Sequence, residues 1–176
     1  SVGMCFGLAG ISDVFIPIFY GISFVESIKV LLVLCPCMIF VSWANVVRTQ
    51  YLLPYKKDIL FCMSVTAGAV INITSNLILI PIYGAIGAAF STLIAEFTVC
   101  IFQSIAVNRD MKLVNPLVKT LPYLILGLLM YVTISNIKMS STLLCVVVRL
   151  IAGLLIYSLG SYFFIKKNLY ATTKYK

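Results

Sequence analysis

Long apolar runs alternate with short polar segments along the whole chain. Six of these runs approach the roughly 20 residues that a helix needs to cross a hydrocarbon core about 30 Å thick. The runs cover about residues 2–20, 28–47, 59–82, 85–107, 117–137 and 142–165. The pattern predicts an all-α fold, a polytopic transmembrane helix bundle of about six spans, followed by a basic cytoplasmic tail at residues 166–176.

The segment from Ile71 to Glu96 joins the third span to the fourth. Pro81 lacks an N–H and restricts the residue before it, and Gly84 tolerates a positive φ, so the four residues from Pro81 to Gly84 predict a tight turn. After the turn, small residues recur three and four positions apart, on one helical face where a second helix can approach closely. They are Gly84, Gly87, Ala88, Ser91 and Ala95.

A polar stripe precedes this turn. Its members are spaced four apart and therefore share one face of an otherwise apolar helix: Ser64, Gly68, Asn72 and Asn76. Amides are unfavourable against lipid, so we expect this face to lie against protein or a watery cavity. Two interpretations of Asn72 and Asn76 are open: hydrogen bonding to sugar hydroxyls, or bonding between helices worth about 0.6–2 kcal/mol per bond.

The same residues carry a family resemblance. Along the chain come Asn72, Asn76, Leu79-Ile80-Pro81, Tyr83-Gly84-Ala85, Gly87-Ala88-Ala89 and Ser91-Thr92. This order resembles a segment of the Wzx-type polysaccharide flippases, which belong to the multidrug/oligosaccharidyl-lipid/polysaccharide exporter superfamily. The likeness covers roughly the first two-thirds of the chain, and the last third only in hydropathy.

The resemblance implies one lobe of a two-lobed transporter for a polyprenyl-diphosphate-linked oligosaccharide, working by alternating access in capsule or O-antigen assembly. The chain opens at Ser1 without an initiator methionine, so we expect a fragment whose partners are this substrate, membrane lipid and a missing N-terminal lobe. We expect no cofactor. The net charge of +8 could suggest a nucleic-acid partner, but the basic residues lie mostly in loops between spans, so we expect none. A multidrug or small-molecule exporter of the same superfamily, and a membrane glycan-assembly enzyme or scaffold, are alternatives.

Basic residues are distributed unevenly between the two sides of the predicted bundle. Of the 13 Lys and Arg residues, two (Lys29 and Lys138) fall on one side and Arg149 lies within the last span. The other ten fall on the opposite side: Arg48, Lys56, Lys57, Arg109, Lys112, Lys119, Lys166, Lys167, Lys174 and Lys176. The positive-inside rule then predicts an inner or plasma membrane protein with both ends of this chain cytoplasmic.

Composition agrees with a membrane protein and argues against an enzyme. Hydrophobic residues make up 62% and charged residues 10%, against about 45–50% and about 25% in soluble domains. The chain has no His, so an ordinary general base near neutral pH is missing. No Walker A sequence occurs, and the five acidic residues show no pair at acid/base spacing.

The six cysteines all lie in apolar runs, where we expect small hydrophobic residues rather than a disulfide framework. Cys35-Pro36-Cys37 is similar to the metal site of heavy-metal pumping ATPases. Those pumps need a large cytoplasmic phosphorylation domain, and this chain has no long soluble segment, so we expect no metal site. Pro36 instead predicts a kink, because it removes a backbone hydrogen bond from the second span.

Three ionisable residues lie within predicted spans: Asp13, Glu96 and Arg149. A charge at the bilayer centre costs at least about 2.5–3.5 kcal/mol, so each needs a partner or water. Distance along the helix places all three roughly 10–18 Å below the outer boundary. One hypothesis is a structural ion pair of Arg149 with either carboxylate.

The other hypothesis is functional. Arg149, or Arg48 near the inner mouth, would bind a substrate phosphate, because arginine stays charged and presents a planar fork of donors. Asp13 or Glu96 would bind a coupling cation or a proton. The predicted substrate-binding residues are thus Arg149, Arg48, Asn72, Asn76 and Asn45, the last beside Arg48. The predicted hinge and packing residues are Pro36, Pro81, Gly84 and Gly87.

Overall fold

The computed structural model describes residues 1–108, 114–139 and 142–173, and these residues form helices without any strand. The α-helices are α1 (Val2–Phe19), α2 (Ser27–Leu34), α3 (Cys37–Val47), α4 (Asp58–Tyr83), α5 (Ala85–Asn108), α6 (Val114–Ser135) and α7 (Thr142–Thr173). A short 3-10 turn covers Ile22–Phe24, and a π turn covers Arg48–Leu52. The predicted all-α bundle is confirmed.

Six helices in the described part of the chain are long and apolar enough to cross a membrane, which indicates a multi-pass membrane protein. They are Val2–Phe19, Ser27–Leu52, Asp58–Tyr83, Ala85–Asn108, Val118–Ser135 and Thr142–Lys166. The second of them continues past the predicted end at Val47 through the π turn, in which the N–H of Leu53 donates to the carbonyl of Arg48 at 2.9 Å.

The contacts of the chain fall into two compact units. The first, which we call the hairpin unit, spans Glu26–Asn115 and contains α2 to α5. The second, which we call the arginine unit, combines Val2–Val25 with Pro116–Lys176 and contains α1, α6 and α7. The arginine unit therefore brings the first helix of the chain together with the last two.

Gly84 alone makes the link between α4 and α5. Its φ of 57° and ψ of −131° form a conformation that favours glycine, and its N–H donates to the carbonyl of Ile80 at 2.8 Å. Pro81 lies in the last turn of α4, so the predicted four-residue turn is wrong in length. Proline is tolerated in membrane helices, and α4 continues past Pro81 to Tyr83.

The predicted small-residue face packs against α4. Gly87, Ser91 and Ala95 are all buried. A methyl group added at Gly87 would overlap the backbone carbonyl of Leu79, so the first turns of α5 lie against the backbone of α4 itself. The close helix–helix approach expected from the three- and four-residue spacing is confirmed.

The second span is interrupted at Cys35 and Pro36, between α2 and α3, as the proline predicts. In the arginine unit, the core is formed by Met130 and Ile134 of α6, which are 2% and 1% exposed. A methyl group at Gly7 of α1 would lie 3.7 Å from the Met130 side chain, an ordinary contact.

Gly87→Ala should reduce stability by about 1–3 kcal/mol, because the added methyl group meets backbone that cannot rotate away. Gly7→Ala is the matched control, since its methyl group has room, and it should leave stability unchanged or slightly increased. Thermal unfolding of the purified protein in detergent measures both. Equal melting temperatures for the two variants would contradict the close packing of α4 on α5.

Candidate functional site

Arg149 is buried and fully hydrogen-bonded in the arginine unit. It is 2% exposed. Its Nε donates to the carbonyl of Ile137 at 3.0 Å, and its Nη1 donates to the carbonyl of Gly10 at 3.0 Å and to the Asp13 carboxylate at 2.6 Å. Its Nη2 donates to the carbonyls of Ser135 and Ile137 at 3.4 and 2.8 Å. Each nitrogen of the guanidinium thus has an acceptor.

The guanidinium joins the three helices of the arginine unit at the C-terminal end of α6. The last carbonyls of a helix have no partner within that helix, and Arg149 from α7 supplies donors to the carbonyls of Ser135 and Ile137. A planar fork with five donors and a permanent charge suits this task. The arrangement is that of the structural ion pair, with Asp13 as the partner carboxylate. The phosphate-binding role of Arg149 stays a prediction. A phosphate would have to displace one of the oxygen atoms that accept hydrogen bonds from the guanidinium.

Asp13 is much more exposed than its partner. Its side chain is 57% exposed, against 3% for Arg149, and only Oδ1 contacts the guanidinium. A carboxylate exposed at this depth of a span needs water, a cation or protein beside it rather than lipid. The side of α1 that carries Asp13 is therefore unsuited to face hydrocarbon.

The polar stripe of α4 divides into two parts. Ser64 and Gly68 are buried, and a methyl group at Gly68 would overlap Val99 of α5, which confirms that this part of the stripe faces protein. Asn72 and Asn76 are half-buried, and Asn76 Nδ2 donates to Asn72 Oδ1 at 2.9 Å. The other amide oxygen, Asn76 Oδ1, is buried and has no hydrogen-bond donor among the described residues.

Gln103 of α5 is a buried polar residue that the sequence analysis overlooks. It is 2% exposed, and its Nε2 donates to Ser64 Oγ at 2.9 Å. Its Oε1 has no donor in the part of the chain that the structure describes. The sequence feature that could have indicated Gln103 is its spacing. Gln103 follows Glu96 by seven residues and therefore lies on the same helical face. Close by, Trp43 Nε1 of α3 donates to Ser104 Oγ of α5 at 2.9 Å.

Arg48 lies at the end of α3 with its guanidinium carbon 4.4 Å from the centre of the Phe61 ring, a cation–π contact. Its Nε is buried and has no acceptor among the described residues. Asn45 lies one turn earlier with an exposed side chain, and its backbone carbonyl accepts a bond from the Thr49 hydroxyl at 2.7 Å. Of the two predicted phosphate-binding arginines, Arg48 is the one that keeps an unused donor.

Glu96 is half-buried on α5. Within the described ranges it forms neither an ion pair nor a hydrogen bond, and the carboxylate paired with Arg149 is that of Asp13. None of the six cysteines, all of which lie in the described ranges, forms a disulfide. The described residues contain no group of three or more His, Cys, Asp or Glu side chains that would hold a metal ion.

The structure therefore brings together two of the predicted pairs, Arg149 with Asp13 and Asn72 with Asn76. Arg48 and Glu96 belong to neither of these two pairs. A comparison of the chain with protein-family models, with curated proteins and with solved structures finds no match.

Arg149→Met should reduce stability by about 3–5 kcal/mol, because it leaves the carbonyls at the end of α6 and the carboxylate without donors. Asp13→Asn should reduce it by no more than about 1 kcal/mol, since Asp13 is exposed and the amide oxygen still accepts from Arg149. Unfolding in detergent of each variant measures these effects. A loss for Asp13→Asn as large as that for Arg149→Met would show that the ion pair, rather than the carbonyl contacts, dominates.

Proposed function

We propose that this chain is part of a Wzx-like transporter that moves a polyprenyl-diphosphate-linked oligosaccharide across a cell membrane for capsule or O-antigen assembly. The observation that carries the proposal is the amide pair of α4. Asn72 and Asn76 lie within a membrane-spanning helix, bond to each other, and keep a buried acceptor without a donor. Residue order from Asn72 to Thr92 resembles that of the flippases.

The orientation is part of the proposal. Ten of the 13 basic residues fall on one side of the six spans, and the positive-inside rule assigns this side to the cytoplasm. Both ends of the chain are then cytoplasmic, and Gly84 lies at the outer surface. In this orientation Arg48 lies near the cytoplasmic surface, where a diphosphate headgroup first meets the protein.

The proposed mechanism is alternating access. The isoprenoid tail stays in the lipid, while the sugars enter a polar cavity and exchange hydrogen bonds with amides such as Asn76. The Arg48 Nε, which has no acceptor among the described residues, offers a charge-assisted hydrogen bond to a phosphate oxygen. In a two-lobed transporter of this kind, a second lobe completes the cavity.

A small-molecule exporter of the same superfamily is the second candidate, and the distribution of charge favours it. Arg149 has its donors engaged, whereas Asp13 is exposed and Glu96 is without a partner in the described chain. A carboxylate without a basic partner within a span, as at Glu96, suits an organic cation better than a diphosphate. The two candidates therefore differ in the sign of the charge on the substrate.

Transport by the full-length protein in proteoliposomes separates the candidates. A fluorescent polyprenyl-diphosphate oligosaccharide should become accessible to a reagent on the opposite leaflet, whereas a cationic dye should not cross. Dye transport without oligosaccharide movement would favour the small-molecule exporter. If neither compound crosses, the transporter proposal fails.

Asn76→Ala should lower the rate of oligosaccharide movement by about tenfold, as expected for the loss of one or two hydrogen bonds of about 1 kcal/mol each. Thr74→Ala is the matched control on the same helix, because its exposed hydroxyl donates only to the carbonyl of Val70. Transport rates normalised to protein amount test this. Normal transport per molecule combined with a lower protein level would assign Asn76 to helix packing instead.

A further inference from the structure

Helix α6 ends well before the neighbouring end of α1. A methyl group added at Gly7 of α1 would lie 3.7 Å from the Met130 side chain of α6. One added at Gly10 would overlap the Ile134 side chain, so the two helices run in the same direction and Gly10 is level with the last turn of α6. From this level α6 stops within one residue, whereas α1 continues to Phe19, about 10 Å farther at a rise of about 1.5 Å per residue.

Helix α7 runs in the opposite direction and also extends past the end of α6. A methyl group at Gly153 would lie 3.9 Å from the Ile134 side chain. One turn earlier, Arg149 donates to the carbonyl of Ser135, the last residue of α6. Because α7 begins at Thr142, its first two turns lie up to about 10 Å beyond this level. The end of α6 is therefore recessed between its two neighbours.

The parts of α1 and α7 that project beyond α6 have the surface of membrane-embedded helices. No charged residue follows Asp13 in α1, and both projecting parts belong to apolar spans. Large apolar side chains on them are exposed: Ile18, Phe19, Leu143, Leu144 and Val147. Such side chains are stable against lipid and unfavourable in water. The membrane therefore covers the projecting parts, and the end of α6 lies below its surface.

The recessed end itself is polar. The chain leaves the helix after Ser135 and is not helical from Ile137 to Met139. Arg149 binds two of the carbonyls there, but the side chains of Asn136 and Lys138 are exposed, as is that of Asp13 on α1. Backbone that is not helical is tolerated at membrane depth only where protein buries it or where it lines a water-filled cavity.

We propose that a water-filled depression in this face of the arginine unit reaches the end of α6 and hydrates Asp13. Water in it would bind the amide, the ammonium group and the carboxylate, which hydrocarbon cannot do. In a hydrocarbon core about 30 Å thick, a depression of about 10 Å leaves about 20 Å for a polar group to cross. The inference goes beyond the transport function proposed above and does not depend on the substrate.

The reaction of single cysteines with a charged methanethiosulfonate reagent measures the depression. The variants are made in a cysteine-free form of the full-length protein and placed in liposomes, with reagent on both sides of the membrane. Asn136→Cys should react at least about tenfold faster than Val147→Cys, because a thiol must ionise in water before it reacts. Val147 is the matched control, since it lies two residues before Arg149, close to the level of Asn136, and its exposed side chain is apolar.

Lys138→Cys should react as fast as Asn136→Cys, and it carries the comparison if Asn136→Cys does not fold. Slow reaction at both positions would overturn the proposal, because lipid or another part of the protein would then cover the end of α6. Fast reaction at all three positions would overturn it too, because the projecting parts of α1 and α7 would then stand in water. The oligosaccharide assay does not enter this test, so either proposal can fail without the other.

Discussion

A polar group inside a bilayer has no water to bind, so its partner must come from the protein itself. Hydroxyl groups within the spans meet this constraint locally, by donating to a carbonyl of their own helix, as Thr74, Ser91 and Thr133 do. Arg149 meets it over a longer distance, with donors to three backbone carbonyls and a carboxylate. Groups that break the rule, such as Asn76 Oδ1, are therefore the ones to examine for function.

Spacing along the chain was enough to predict features that one helix decides by itself. The six spans, the small residues facing α4 and the interruption at Pro36 follow from periodicity and proline chemistry. The predicted length of the α4–α5 turn is wrong, because a membrane helix tolerates a proline and α4 keeps Pro81 in its last turn.

Features that depend on helix pairing were not predictable. Asp13 and Glu96 lie at similar estimated depths, so spacing alone left either as the partner of Arg149. In the structure α1 and α7 belong to the arginine unit, and Arg149 therefore pairs with Asp13. Gln103 was overlooked for the same reason, since an isolated amide becomes informative only when Ser64 is known to lie opposite. Register between helices is the information that a single sequence does not carry.

A polar, protein-lined interior requires that the amides of α4 point away from lipid. The most direct measurement attaches a nitroxide at position 76 of a cysteine-free variant in lipid bilayers and compares its collisions with a water-soluble nickel chelate and with oxygen. Position 76 should favour the chelate or be shielded from both reagents, whereas positions 73 and 77, which carry the exposed Ile73 and Leu77, should favour oxygen. A position 76 that favours oxygen as strongly as its neighbours would place Asn76 against hydrocarbon and contradict a polar, protein-lined interior.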